Sequence, residues 1–239
     1  MKQKQPRAAI RLAGILCCGC LLAGCDQSDE ATGEPHSRDV AEAAVLPKTN
    51  VAQETVPASP PIVSAARAQI GKTTIYDPSY VRLDYPGGDV RIEKGVCTDV
   101  VVRALRDALG MDLQKLVHED MKAAFSEYPK IWGLKKPDPN IDHRRVPNLQ
   151  RYFQRKGCSI TVTKDKRDYV PGDLVTCTVP PNRPHIMIVS DRKSRESVPL
   201  VIHNIGGGTK EETRLFEFPL TGHYRIRTEG SNNRIEHDQ

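Results

Sequence analysis

Aromatic residues are scarce. They make up 5% of the 239 residues, with one tryptophan and four phenylalanines. Basic residues are not interleaved with them, so the stacking platforms and cationic grooves of nucleic-acid surfaces have little to be built from, and no nucleic-acid partner is expected. Long apolar runs are missing too. The longest, Leu12 to Leu22, is too short to cross a bilayer as a permanent helix. No internal repeat is present, which removes solenoids and propellers. The "GGG" at 206–208 is followed by no Lys-Ser/Thr and lies in no parallel βα unit, so it reads as a turn and not a phosphate loop. A large charge of one sign is also lacking. Of 35 basic and 30 acidic residues, four basic ones (Lys2, Lys4, Arg7 and Arg11) fall in the first 24 positions, and the remainder is near +1.

What is present begins with a leader. A basic start and a short apolar run end in "LAGC", Leu22 to Cys25. The order resembles a bacterial lipobox, which implies a signal peptide over 1–24 and a lipid on Cys25. Asp26 after that cysteine favours the inner membrane, so the expected location is membrane-anchored, facing the periplasm, with the lipid as the membrane contact. Residues 25–61 are rich in Pro, Ser, Thr, Glu and Ala and hold no aromatic residue. Such a stretch cannot bury enough apolar surface to order itself. As a tether it would span roughly 30–35 Å root-mean-square. The folded unit is then 62–227, and 228–239 is a polar tail. Of seven cysteines, Cys97, Cys158 and Cys177 lie in that unit. In an oxidising compartment, two arrangements stay open: a Cys158–Cys177 disulfide with one free thiol, or separate buried thiols.

The first half of the unit reads helical. "IVSAARAQIG" is a short helix closed by a glycine. From Cys97 to Leu109, Val101, Ala104, Leu105 and Ala108 recur at helical spacing, and Gly110 ends the run. Asp112 is an N-cap for a second stripe of Leu113, Leu116, Val117, Met121, Ala124 and Phe125. "PNLQRYFQRKG" is a third helix, opened by Pro147 and closed by Gly157. The second half changes period. "CSITVTK", "DLVTCTV", "HIMIVSD", "LVIHNI", "RLFEF" and "HYRIRT" are short Val/Ile/Thr-rich runs with brief links. The expected class is α+β, helices packed on an antiparallel sheet of five or six strands.

Cys97 stands at the mouth of its helix, where unpaired N–H groups and the macrodipole favour a thiolate and should lower its pKa. A nucleophile needs a base and the base an orienting partner. His185 opens one strand run and His203 lies in the next, so antiparallel pairing would bring both imidazoles to one end of the sheet. Asn204 is the fallback for the third role, because one residue of register exchanges their faces. Asp99 suits the helix N-terminus. Cys97, His185 and His203 would also make a Cys-His-His zinc set, but beyond the leader no C-x-x-C or H-E-x-x-H pairing accompanies them, and neither metal nor cofactor is expected.

A cysteine opening a helix, then "GDLVTCTV", "HIMIVSD" and "VIHNI", resembles the papain-like fold of NlpC-type cell-wall peptidases and their amidase relatives. The resemblance implies Cys97 as nucleophile, His185 as general base and acid, and His203 as orienter. It implies a thiol hydrolase that cleaves an amide in peptidoglycan stem peptides. Those stems are rich in carboxylates, so the guanidiniums of "DHRR" (His143, Arg144, Arg145) are expected at the substrate as a clamp, with Asp99 beside them. Acyl transfer on lipid or lipoprotein, and a non-catalytic binding lipoprotein, are the alternatives. The chain reads Val96-Cys97-Thr98 where NlpC-type enzymes usually read Asp-Cys-Ser, which puts substrate choice in question. "YPGGDV", "GVCTDVV", "NIDHRRVPNL" and "HNIGGG" further resemble an uncharacterised family of bacterial exported proteins.

Overall fold

A computed structural model describes residues 58–227. The expected signal peptide, Cys25, most of the tether and the tail lie outside the described residues.

Four helices precede or flank the sheet. α1, Pro61–Arg67, starts on a proline at its first turn and stops short of Gly71, where the chain runs through turns instead. α2, Cys97–Leu109, is closed by Gly110 at φ 64, with Gly110 N–H on the Arg106 carbonyl at 2.9 Å and Met111 N–H on that of Leu105 at 3.2 Å. That double bond pattern satisfies carbonyls the helix would leave open. α3, Leu113–Ala123, begins at Asp112, whose carboxylate accepts from Gln114 N–H at 3.1 Å. The apolar stripe continues past it, but the chain leaves the helix at Ala124 and Phe125 begins a 3-10 turn. α4, Val146–Arg155, carries Pro147 in its first turn, where no N–H is missed.

The chain forms a mixed helix-and-sheet unit with one six-stranded antiparallel sheet. A separate two-residue parallel pair, β1 (Ile75–Tyr76) and β2 (Lys94–Gly95), leads into α2. The main sheet holds β3 (Ser159–Ile160), β4 (Leu174–Val179), β5 (Arg183–Lys193), β6 (Pro199–Asn204), β7 (Thr209–Glu212) and β8 (Leu220–Tyr224). Their order is β3-β8-β4-β5-β6-β7, so the last strand inserts beside the first ones and the sheet is not a simple meander. The expected strand at "RLFEF" is corrected. The ladder partner of β6 is the polar Thr209–Glu212, an edge strand that can afford charges, while Leu215 turns back as a buried plug.

Strand alternation makes two cores. On one face Leu174, Ile186, Ile188 and Ile202 pack with α2, α3 and α4. On the other, Val175, Cys177, Met187, Val189 and Val201 pack under Tyr169 and Leu215. Each fully buried aliphatic there stabilises the fold by about 1.5–3 kcal/mol relative to exposure. α2 is the central helix, and nearly every side chain from Cys97 to Leu105 is buried. Among the described residues no helix is long and apolar enough to cross a membrane.

Gly208 couples the β6–β7 turn to the segment before β1. It sits at φ 82, and a Cβ there would lie 2.8 Å from the Thr73 carbonyl oxygen and 2.9 Å from Thr74 Cα, while Thr209 N–H bonds that carbonyl at 2.8 Å. Gly208→Ala should therefore lower stability by more than about 1 kcal/mol, read as a fall in the denaturation midpoint; an unchanged midpoint would contradict the close approach.

Candidate active site

The mouth of α2 is held from below. Asp99 Oδ2 accepts Val96 N–H at 2.7 Å, which is half of a capping box, since Val96 has no oxygen to return the bond. The same carboxylate takes Arg144 in a fork, Nε to Oδ1 at 2.9 Å and Nη2 to Oδ2 at 3.0 Å. Arg144 also donates to the carbonyls of Ser79 at 2.9 Å and Asp77 at 3.1 Å, and Thr98 Oγ1 donates to the Arg144 carbonyl at 3.2 Å. From the sheet side, Asn204 Nδ2 donates to the Gly95 carbonyl at 3.0 Å. Residues on both sides of Cys97 are thus pinned by buried groups.

These bonds correct the expected substrate contacts. Asp99 and Arg144 are buried and spent on each other, so Arg144 is no free clamp. His143 is buried in the turn Asp142–Arg144, and burial, helped by the Arg144 charge, brings its pKa down to about 4. Arg145 is different. Its guanidinium lies 4.1 Å over the Trp132 ring and lines a cavity of about 280 Å³ together with Cys97, Tyr76, Ile131 and Pro184. "YPGGDV" is also structural. Gly87 and Gly88 N–H groups bond Asp112 and the Gln114 side chain at 2.7 and 2.8 Å, and Asp89 pairs with Arg103 at 2.7 Å.

β5 runs past the sulfur. Pro184 lines its cavity, and Ile186 packs in one core cluster with Cys97. His185 lies between the two. Alternation turns His185 to the face of Met187 and Val189, and turns His203 to the face of Val201. The two rings meet there, His185 Nε2 to His203 Nδ1 at 2.8 Å. His203, and not Asn204, is the residue at His185, because Asn204 faces the other way toward Gly95. Pairing of β5 with β6 starts at Ile188–Ile202, so His185 and His203 lie beyond the paired stretch. A further residue, unforeseen from the sequence, follows: Glu212 Oε2 is 3.2 Å from His203 Nε2. On β7 it is the diagonal neighbour of His203, which is paired with Lys210, so only the strand register reveals it.

The electrostatics correct one expectation. Burial pushes the Cys97 thiol up to about 11. The N–H of Ile186 opposes the rise, the nearby Asp99 charge adds to it, and the Thr98 and Cys97 N–H groups oppose it. Desolvation outweighs the helix terminus, because Cys97 is only 5% exposed. Burial also brings His185 down to about 3, with the His203 and Arg214 charges acting in the same direction. At neutral pH the pair is a thiol and a neutral imidazole. Cys97, Cys158 and Cys177 are all free thiols, which closes the disulfide alternative. Among the described residues no three His, Cys, Asp or Glu side chains converge as metal ligands.

A family described as "Domain of unknown function (DUF1287)" matches residues 63–226. "Uncharacterized protein YijF" of Escherichia coli (strain K12) is 55% identical over 164 residues, covering 69% of this chain and 80% of the relative.

Two outcomes test the geometry. Arg144→Met leaves Asp99 buried and unpaired and should cost about 3–5 kcal/mol, measured by denaturant unfolding; a loss under about 1 kcal/mol would contradict the buried fork. Because deprotonation of Cys97 is deferred toward pH 11, its alkylation by iodoacetamide, followed on the Cys97 peptide by mass spectrometry, should rise about tenfold per pH unit between about pH 7 and about pH 9. A plateau already at neutral pH would mean a stabilised thiolate.

Proposed function

The chain belongs to the DUF1287 family, and from that starting point we propose that it is a thiol hydrolase of papain-like, NlpC-type design, cleaving an amide bond in peptidoglycan stem peptides. One observation carries the reading: the sulfur at the start of α2 packs in one core cluster with Ile186, the chain neighbour of His185, whose ring is joined to His203 at 2.8 Å. Nucleophile, base and orienter then come from a helix mouth and two adjoining strands.

The chemistry follows from which atoms are committed. His185 Nε2 is engaged by His203, so Nδ1 is the nitrogen left for the thiol. The thiol proton passes to Nδ1 as sulfur attacks the amide carbonyl. Sulfur, neutral at rest, thus acts with general-base assistance and not as a preformed thiolate. Backbone N–H groups at the start of α2 receive the oxyanion, one such donor being worth about 3–4 kcal/mol. His185 then gives its proton to the leaving amine, and the acyl group remains as a thioester. Water attacks that thioester, passing a proton to His185, and thiol and carboxylic acid are released. The cavity wall is apolar around Trp132 and Ile131, and Arg145 is its candidate for a stem-peptide carboxylate. A lipid-anchored, exported chain, as "LAGC" suggests, would meet those stems as its nearest abundant amides.

Burial of the thiol supports one alternative, a lipoprotein of the same fold that binds cell-wall peptide without turnover. A single experiment separates them. Purified muropeptides are incubated with the full-length protein, with Cys97→Ala and with Arg145→Ala, and products are followed by mass spectrometry. Hydrolysis predicts cleaved stems from wild type, none above background from Cys97→Ala, and a KM raised about tenfold for Arg145→Ala. Equal products from wild type and Cys97→Ala would overturn the hydrolase; binding without products would favour the alternative.

A further inference from the structure

We propose that Glu212 is a positioning residue that fixes the tautomer of His185 through His203. The functional consequence rests on the Cys97–His185 reading above; the proton placement does not.

Donors and acceptors along one line place the protons. Glu212 Oε2 accepts from Arg214 Nε at 3.0 Å, and as a carboxylate oxygen it has only lone pairs to offer His203. The hydrogen between Glu212 and His203 therefore sits on His203 Nε2. Burial holds His203 below its ordinary pKa, the Glu212 carboxylate opposing the fall while Arg214 and Lys210 reinforce it, so the ring is neutral near pH 7 and its Nδ1 is bare. A bare Nδ1 at 2.8 Å obliges His185 Nε2 to carry the hydrogen of that contact. His185 Nδ1 is then the lone pair. One carboxylate at the sheet edge thus decides, two rings away, that the nitrogen available to Cys97 is a base and not a donor. Protonating His203 would reverse the line: its Nδ1 would donate, His185 Nε2 would accept, and neutral His185 would present Nδ1–H to the sulfur.

Glu212 is placed to act on His203 without supporting the core. It lies on the same face of β7 as Lys210, which is paired with His203, and it is only partly buried, so its replacement exposes no core. His203 is fully buried, so water does not easily substitute for the lost acceptor.

The test reads the protons directly. The full-length protein labelled with [15N]histidine is examined by long-range proton–nitrogen correlation at neutral pH, as wild type, Glu212→Ala and Glu212→Asp, and each is assayed on muropeptides. The expected result is both rings in the Nε2–H form in wild type, a mixture with the Nδ1–H form in both rings of Glu212→Ala, and recovery in Glu212→Asp. Turnover should fall about tenfold or more in Glu212→Ala at unchanged KM, within the range of general-base effects. If Glu212→Ala fails to fold, Glu212→Gln, whose amide both donates and accepts, is read for the same mixture. His185 staying wholly Nε2–H in the substituted protein, or found as Nδ1–H in wild type, overturns the proposal. If wild type releases no product while the tautomers shift as stated, the positioning role stands and the hydrolase reading falls.

Discussion

The buried fork between Asp99 and Arg144 is the constraint on which the rest of the site depends. It ties three separate segments together: the first turn of α2, the loop carrying Asp77 and Ser79, and the turn before α4. Both partners are buried, so each needs the other. The fork therefore sets where the α2 mouth lies and, with Asn204 on the Gly95 carbonyl, sets the lead into Cys97. The same carboxylate has a second effect. It is a negative charge near the sulfur, and it makes the thiolate harder to form. The device that positions the candidate nucleophile thus adds to the burial that keeps it protonated at rest.

The other half of the site is built by a different logic. Two imidazoles and a carboxylate form a line on the far face of the sheet, beginning at an edge strand and ending at His185, next in the chain to the Ile186 that packs with Cys97. Burial keeps both rings neutral, which suits a base that must hold a lone pair until a proton is delivered. In the proposed hydrolase, a thiol that keeps its proton and a base that keeps its lone pair are matched for proton transfer during attack. They are poorly matched for a resting ion pair. Arg145, stacked over Trp132 in the cavity wall, supplies the positive charge that Arg144 does not.

Much of this was legible in order and type. The helix from Cys97 to Leu109 was readable to the residue, because an apolar stripe ends in a glycine that can adopt φ 64. Asp112 as a cap and Pro147 as a helix opener were equally plain. The β7 assignment failed because Thr209–Glu212 is polar, and an edge strand with one partner needs no apolar alternation. "DHRR" was expected at the substrate, since nothing local signals that Arg144 reaches Asp99, 45 residues away in the chain. Glu212 was invisible for the same reason: its meaning lies in a diagonal across two paired strands.

By itself the sequence determined which residue types sit at helix mouths and strand starts, because caps, glycines and periodicity act over a few residues. It therefore named Cys97, His185 and His203 as candidates and set the α+β class. Tertiary structure alone decided the charge states and the partners. Burial turned the expected low thiol pKa into a high one, strand register chose His203 over Asn204, and packing consumed Arg144 while sparing Arg145. Desolvation and hydrogen-bond commitment depend on everything that surrounds a group, and no short stretch of chain contains that information.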